Sequence, residues 1–203
     1  MKIICIGRNY SAHIKELSNK MPSSPVIFLK PDSSIIPKNQ KFIIPSFSNN
    51  IQHEVELVLK IKKVGKHIDT SFSNKYYNEI GLGIDFTARD IQTKLKDNGQ
   101  PWEKSKAFDN SCLIGSFLSK NMIEDTSDIE FSLKKNNQTV QLGRSSEMIW
   151  KFDELISYVS RYFTLKIGDL IFTGTPSGVS KINSGDLLEG FINSNQMFSI
   201  KVK

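Results

Sequence analysis

The run His53-Glu-Val-Glu-Leu-Val-Leu-Lys-Ile61 limits what this chain can become more than any other segment. Aliphatic and β-branched residues fill it and neither glycine nor proline interrupts it, so it predicts a strand over 52–61. Successive strand side chains point to opposite faces. Glu54 and Glu56 then share one face with Val58, while His53, Val55, Leu57, Leu59 and Ile61 share the other. Their Cα atoms would stand roughly 6.5–7 Å apart, so both carboxylates can converge on one cation. Two like charges among apolar neighbours are costly to bury unless positive charge lies between them. A solvated face would relieve the same cost, and Glu-Val-Glu alone leaves that alternative open.

Residues 79–92, Glu-Ile-Gly-Leu-Gly-Ile-Asp-Phe-Thr-Ala-Arg-Asp-Ile-Gln, narrow the choice. Ile80–Phe86 reads as a buried, glycine-containing strand carrying one carboxylate, Asp85. Thr87 followed by Asp90 resembles a capping box opening a helix that Asn98-Gly99 and Pro101 end. Asp85 then lies where a strand hands over to a helix. As a lone aspartate it would serve equally well as a turn or cap residue. Two strand glutamates with a strand-end aspartate, and no cysteine or histidine cluster, form an all-oxygen donor set suited to Mg²⁺, Mn²⁺ or Ca²⁺.

Further segments complete a pattern: Gly7-Arg-Asn-Tyr10-Ser-Ala-His13-Ile-Lys-Glu16-Leu, then Pro101-Trp102 with Ser105-Lys106-Ala-Phe-Asp109, then Gly168-Asp-Leu-Ile-Phe-Thr-Gly-Thr-Pro-Ser-Gly178. With Glu54-Val-Glu56 and Asp85-Phe-Thr-Ala-Arg89-Asp-Ile-Gln92, the chain resembles the fumarylacetoacetate hydrolase family over nearly its whole length. It is most similar to the compact acylpyruvase and oxaloacetate decarboxylase branch. The resemblance implies an α+β, β-rich fold, the mixed β-roll of the family's C-terminal domain type, over residues 1–203 as one catalytic domain, and a homodimer.

Composition agrees. A chain of 203 residues at 38% hydrophobic can bury a substantial core. No apolar run approaches the ~18 residues of a membrane span. Met1-Lys-Ile-Ile-Cys-Ile-Gly is too short an apolar run for a signal peptide. Cys5 and Cys112 read as buried thiols, so a reducing, cytoplasmic setting is expected. The net charge of +6 raises the question of nucleic acid. The lysines are scattered, however, and the densest patch, Lys60–Lys66, reads as the solvated tip of a hairpin. A mild positive field favours small anionic substrates instead.

The patterning predicts strands near 2–6, 26–30, 42–44, 52–61, 79–86, 128–134, 138–142, 169–173, 187–192 and 197–202. Helices are predicted near 10–18, 88–97 and 152–162. In the last, Phe152, Leu155, Ile156, Val159 and Phe163 recur at helical spacing. Lys134-Lys-Asn-Asn-Gln138 marks a hairpin. Strands dominate without regular alternation with helices, which disfavours a doubly wound sheet.

His13 and Glu16, three apart on a short helix, can meet on one face, as an ordinary surface pair also would. The resemblance makes them a catalytic dyad on a lid segment, 8–20, that orders over bound substrate. It aims Lys106 at substrate, where a cation stabilises developing negative charge. It gives substrate binding to Arg89, Gln92 and Thr175, and the metal to Glu54, Glu56 and Asp85. The implied activity is divalent-metal-dependent cleavage of small 2-oxo acids through a metal-stabilised enolate. That means acylpyruvate hydrolysis, with His13 and Glu16 activating water, or oxaloacetate decarboxylation. The other reading of the same metal site is isomerisation or tautomerisation of dienol or oxo diacids. A basic non-enzymatic binding protein would have no use for three convergent carboxylates.

Overall fold

The structure is a computed structural model describing residues 1–203. Thirteen strands carry the architecture: β1 Ile3–Gly7, β2 Val26–Lys30, β3 Ile51–His53, β4 Val55–Ile61, β5 Tyr77–Asp85, β6 Thr87–Ala88, β7 Cys112–Ser119, β8 Glu130–Lys135, β9 Gln138–Arg144, β10 Leu170–Phe172, β11 Ser180–Lys181, β12 Leu187–Ile192 and β13 Asn195–Lys201. The helices are few and short: α1 Ser11–Glu16, α2 Thr70–Ser73, α3 Arg89–Asp97, α4 Glu103–Lys106 and α5 Phe152–Tyr162. No helix is long and apolar enough to cross a membrane.

The strands form three sheets, ordered β2-β1-β10-β4-β5-β7, β11-β3-β6 and β13-β12-β8-β9. All pairings are antiparallel except β1 with β10. Both faces of β4 are buried: Val55, Leu57, Leu59 and Ile61 join the main core, while Val58 joins a smaller cluster with Ile3, Cys5, Cys112, Leu170 and Phe172. Cys5 and Cys112 are free, buried thiols.

The expected strand over 52–61 is split. Glu54 falls between β3, which pairs with β6 and β11, and β4, which pairs with β5 and β10. The chain changes sheets at this residue, and hydrophobic periodicity does not register such a change when both halves remain extended. The expected capping box at Thr87 does not form. Thr87 lies in β6 opposite Gln52, and the Asp90 carboxylate is taken by the Ser48 hydroxyl at 2.6 Å and the Asn49 amide at 2.9 Å. Tertiary partners outcompete the local cap. The expected strand near 42–44 is reduced to an isolated bridge, Phe42 with Val202. Lys60–Lys66 is no hairpin tip, because α2 intervenes before β5. The hairpin between β8 and β9 turns on Asn136 and Asn137, both at positive φ, which asparagine tolerates.

Candidate active site

The β4–β5 register builds the acidic cluster. Val55 faces Ile84 and Glu56 faces Gly83, so one further step sets Glu54 opposite Asp85. The Asp85 amide donates to the Glu54 carbonyl at 2.9 Å, continuing the ladder across the break. Gly83 is required by its neighbours, since a Cβ there would lie 2.6 Å from the Leu113 carbonyl. Glu54, Glu56 and Asp85 are all buried, and each offers an oxygen within 4.8 Å of the others.

Three cations compensate this charge unevenly. The Lys106 ammonium donates to Glu54 Oε2 and Asp85 Oδ2, each at 2.7 Å, and to the Thr87 hydroxyl at 2.6 Å. Arg89 pairs with Glu54 Oε1 and also binds Gln92 and Gln52. Lys30, fully buried at the end of β2, stands 2.8 Å from Asp85 Oδ1 and donates to the Ser111 carbonyl and the Lys106 carbonyl. Burial alone would raise the Glu54 carboxyl, but Lys106 and Arg89 hold it below the ordinary range. Burial disfavours the Lys106 charge, yet Asp85 and Glu54 keep its pKa raised. Glu56 has only the Gly174 amide, at 2.7 Å. Burial, then the charges of Asp85 and Glu54, push it well above the ordinary carboxylate value. The cluster is therefore short of positive charge on one side. Three hard oxygen donors converging there fit a divalent cation.

The walls come from distant segments. His13, buried on α1, has Nδ1 3.0 Å from Glu16 Oε2. Glu16 Oε1 accepts from the Gly178 amide at 2.9 Å. Gly178 sits at φ +100, and a Cβ there would collide with the Val140 carbonyl at 2.1 Å. That turn follows β10 and also supplies Thr175, whose hydroxyl oxygen accepts from Gln141 Nε2 at 2.8 Å. The resulting open cleft is lined by His13, Glu54, Glu56, Arg89, Gln92, Lys106 and Thr175. Asp85 lies beneath, behind the Lys106 ammonium. Arg89 binds both Gln92 and Glu54, so neither Arg89 nor Gln92 stands free for a carboxylate.

A family model described as the C-terminal domain of fumarylacetoacetate hydrolase matches residues 2–198. The chain belongs to the fumarylacetoacetate hydrolase family. Its members are enzymes, and the β-rich fold described above is the fold of that domain. Among similar proteins, the oxaloacetate tautomerase YcgM of Escherichia coli is 41% identical over 92% of this chain and 86% of its own. The mitochondrial oxaloacetate tautomerase FAHD1 of Mus musculus is 39% identical over 99% and 91%. A crystal structure of fumarylpyruvate hydrolase from Pseudomonas aeruginosa, in complex with Mn²⁺ and pyruvate, superposes with a TM-score of 0.93 at 33% identity, covering 100% of this chain and 89% of that one.

Several residues in and around the cleft escape a reading of the sequence. Lys30 ends the apolar run Val26–Leu29, and a lysine closing such a run before Pro31 is the one hint of its burial. Gln141 accepts from the Val55 amide and approaches His53 Nδ1 at 2.9 Å while holding Thr175. His53 is buried and its pKa is pulled down to about 4, so its ring is neutral. Arg8, Lys96 and Trp102 also line the cleft.

Proposed function

We propose that the chain interconverts the keto and enol forms of a small 2-oxo diacid of the oxaloacetate type. The observation that carries this reading is the buried Glu54, Glu56 and Asp85 triad, with the Lys106 ammonium inside it and the His13–Glu16 pair above it. Relatives similar over 92–99% of the chain that are themselves named oxaloacetate tautomerases support the choice of substrate.

Glu54, Glu56 and Asp85 would hold a divalent cation, Mg²⁺ or Mn²⁺, which when bound supplies fixed positive charge beside the 2-oxo carboxylate and keto oxygen. His13 turns Nδ1 toward Glu16, which leaves Nε2 as the ring atom that accepts a proton. Imidazole suits this task because its ordinary pKa lies near neutrality. In the enolising direction Nε2 takes a proton from C3, and a proton is returned at the keto oxygen; the reverse direction exchanges the two. The Lys106 ammonium, whose three donors are taken by Glu54, Asp85 and Thr87, would lend its positive charge to the oxygen on which negative charge develops. Thr175 accepts from Gln141, and its hydroxyl hydrogen, which reaches only the Pro176 carbonyl at 3.5 Å, would turn to donate to the substrate carboxylate.

Similarity to the fumarylpyruvate hydrolase favours a second reading, acylpyruvate hydrolysis. There His13 Nε2 would take its proton from water attacking the distal carbonyl, and the C3–C4 bond would break to give pyruvate and a carboxylic acid. Two assays separate the readings: decay of the ultraviolet absorbance of freshly dissolved enol oxaloacetate, and pyruvate release from acetylpyruvate and fumarylpyruvate, all with Mg²⁺. Accelerated enol decay with slow pyruvate release is the expected result. Fast pyruvate release with uncatalysed enol decay would overturn the tautomerase reading in favour of hydrolysis.

A further inference from the structure

Two cations in the cleft are left over once the acidic cluster is accounted for. Arg89 and Lys106 are committed to Glu54 and Asp85. Arg8 and Lys96 line the same cleft, and neither enters any ion pair of the molecule. Lys96 donates only to the neutral Asn19 side chain, at 2.6 Å. Arg8 is held at φ +60, a left-handed conformation uncommon for arginine.

The placement follows from α3. Arg89, Gln92 and Lys96 stand at i, i+3 and i+7, on one face of the helix. That face starts beside Glu54 and runs outward by about 10 Å to Lys96, at ~1.5 Å per residue. Arg8 approaches from the other side, at the end of β1 and just before α1. Burial, then the positive charges of Arg8 and Arg89, lower the Lys96 pKa. The neighbouring Asp97 opposes this shift without forming an ion pair, and two partly buried, unpaired cations lining one cleft favour an anion there.

We propose that Arg8 and Lys96 form a subsite for the distal carboxylate of the substrate, so that the enzyme selects 2-oxo diacids over 2-oxo monoacids. The assignment rests on the reading of the cleft as a 2-oxo acid site and adds its specificity. Guanidinium and ammonium groups both make charge-assisted hydrogen bonds to carboxylates. A bound dianion would also tie Arg8 and Asn19, at the two ends of the α1 segment, to α3 across the cleft.

The test compares 2-oxoglutarate with 2-oxopentanoate, which differ only in a terminal carboxylate against a methyl group. Binding of each to Mn²⁺-loaded protein is measured by calorimetry. The wild-type chain is expected to prefer the dianion by about 10- to 100-fold, the usual worth of a hydrogen bond to a charged group. In Arg8→Gln with Lys96→Gln the preference should collapse to about threefold or less, and Lys96→Arg should keep most of it. Equal binding of the two acids by the wild type, or an unchanged preference in the double variant, overturns the subsite. Equal binding alongside normal oxaloacetate turnover removes the subsite and leaves the tautomerase reading intact. A dianion preference without oxaloacetate turnover does the reverse. Binding of neither acid overturns both.

Discussion

Glu56 lacks the cation that each of its neighbours has. Glu54 has Lys106 and Arg89, and Asp85 has Lys106 and Lys30, while Glu56 relies on one backbone amide. Its raised pKa means that, without metal, the folded state disfavours the ionised form. The sign follows from linkage: a carboxyl raised by folding costs stability once the pH exceeds its unfolded pKa of about 4.3. In chelator, Glu56→Gln should therefore stabilise the fold at neutral pH, because the amide carries no charge to bury. The advantage should vanish in acid below pH ~4. With Mn²⁺ added the order should reverse, because the amide is the poorer ligand. Urea denaturation at two pH values, with and without metal, checks this; a destabilised variant in chelator at neutral pH would contradict it. These carboxylates were legible in the sequence because β-strand alternation and motif spacing are local. Lys30 and Gln141 were not, because their partners lie 55 and 34 or more residues away and are brought near only by sheet packing.

At the scale of elements, long periodic segments read well and one-turn or two-residue pieces did not. Phe152, Leu155, Ile156 and Val159 place α5, the fifth periodic residue, Phe163, being its extended C-cap, and a Glu154 carboxylate accepting from the Lys151 amide at 2.7 Å fixes its start. β6 and β11 have two residues each, and α2 and α4 four, too few to show a period. β7 is longer, but its ladder to β5 slips between Gly81 and Gly83 and its alternation is blurred. α1 belongs to a different category: it is easy to place and its role lies in what it touches. It is six residues long, has no side-chain N-cap, and reaches the rest of the site through Glu16 to Gly178. Isolated helices this short are unstable in water, so tertiary contacts hold it. Residues 8–20 should exchange amide hydrogens faster than β4 and β5, and oxalate with Mn²⁺ should slow them. Hydrogen exchange with and without oxalate is the measurement, and equal protection in both states would mean that the segment does not close. Gly178→Ala, by forcing the turn off the Val140 carbonyl, should loosen the same segment and lower kcat.

Across the whole molecule, the acidic triad is a junction between sheets. Glu56 and Asp85 lie in adjacent strands of the six-stranded sheet, and Glu54 is the residue at which the chain leaves it for β3 and the three-stranded sheet. Gly174, which binds Glu56, opens the turn after β10. An ion held by the three carboxylates would therefore bind only the assembled fold, since the unfolded chain leaves Asp85 far from the two glutamates. Binding to the native state alone stabilises by RT ln(1 + [L]/Kd), about 2.7 kcal/mol at a hundredfold excess over Kd. For a chain of this size each kcal/mol moves Tm by roughly 2–4 °C, so saturating Mn²⁺ should raise Tm by roughly 5–11 °C. Chelator should return it, and Glu54→Ala should remove most of the shift. His13→Ala, by contrast, should keep the Mn²⁺ shift while lowering kcat by about 10²–10⁴-fold, the usual contribution of general acid–base catalysis. Melting curves and turnover of the two variants together separate holding the ion from moving the proton. If Mn²⁺ leaves the wild-type Tm unchanged, the triad is not a cation site; if His13→Ala turns over normally, another group moves the proton.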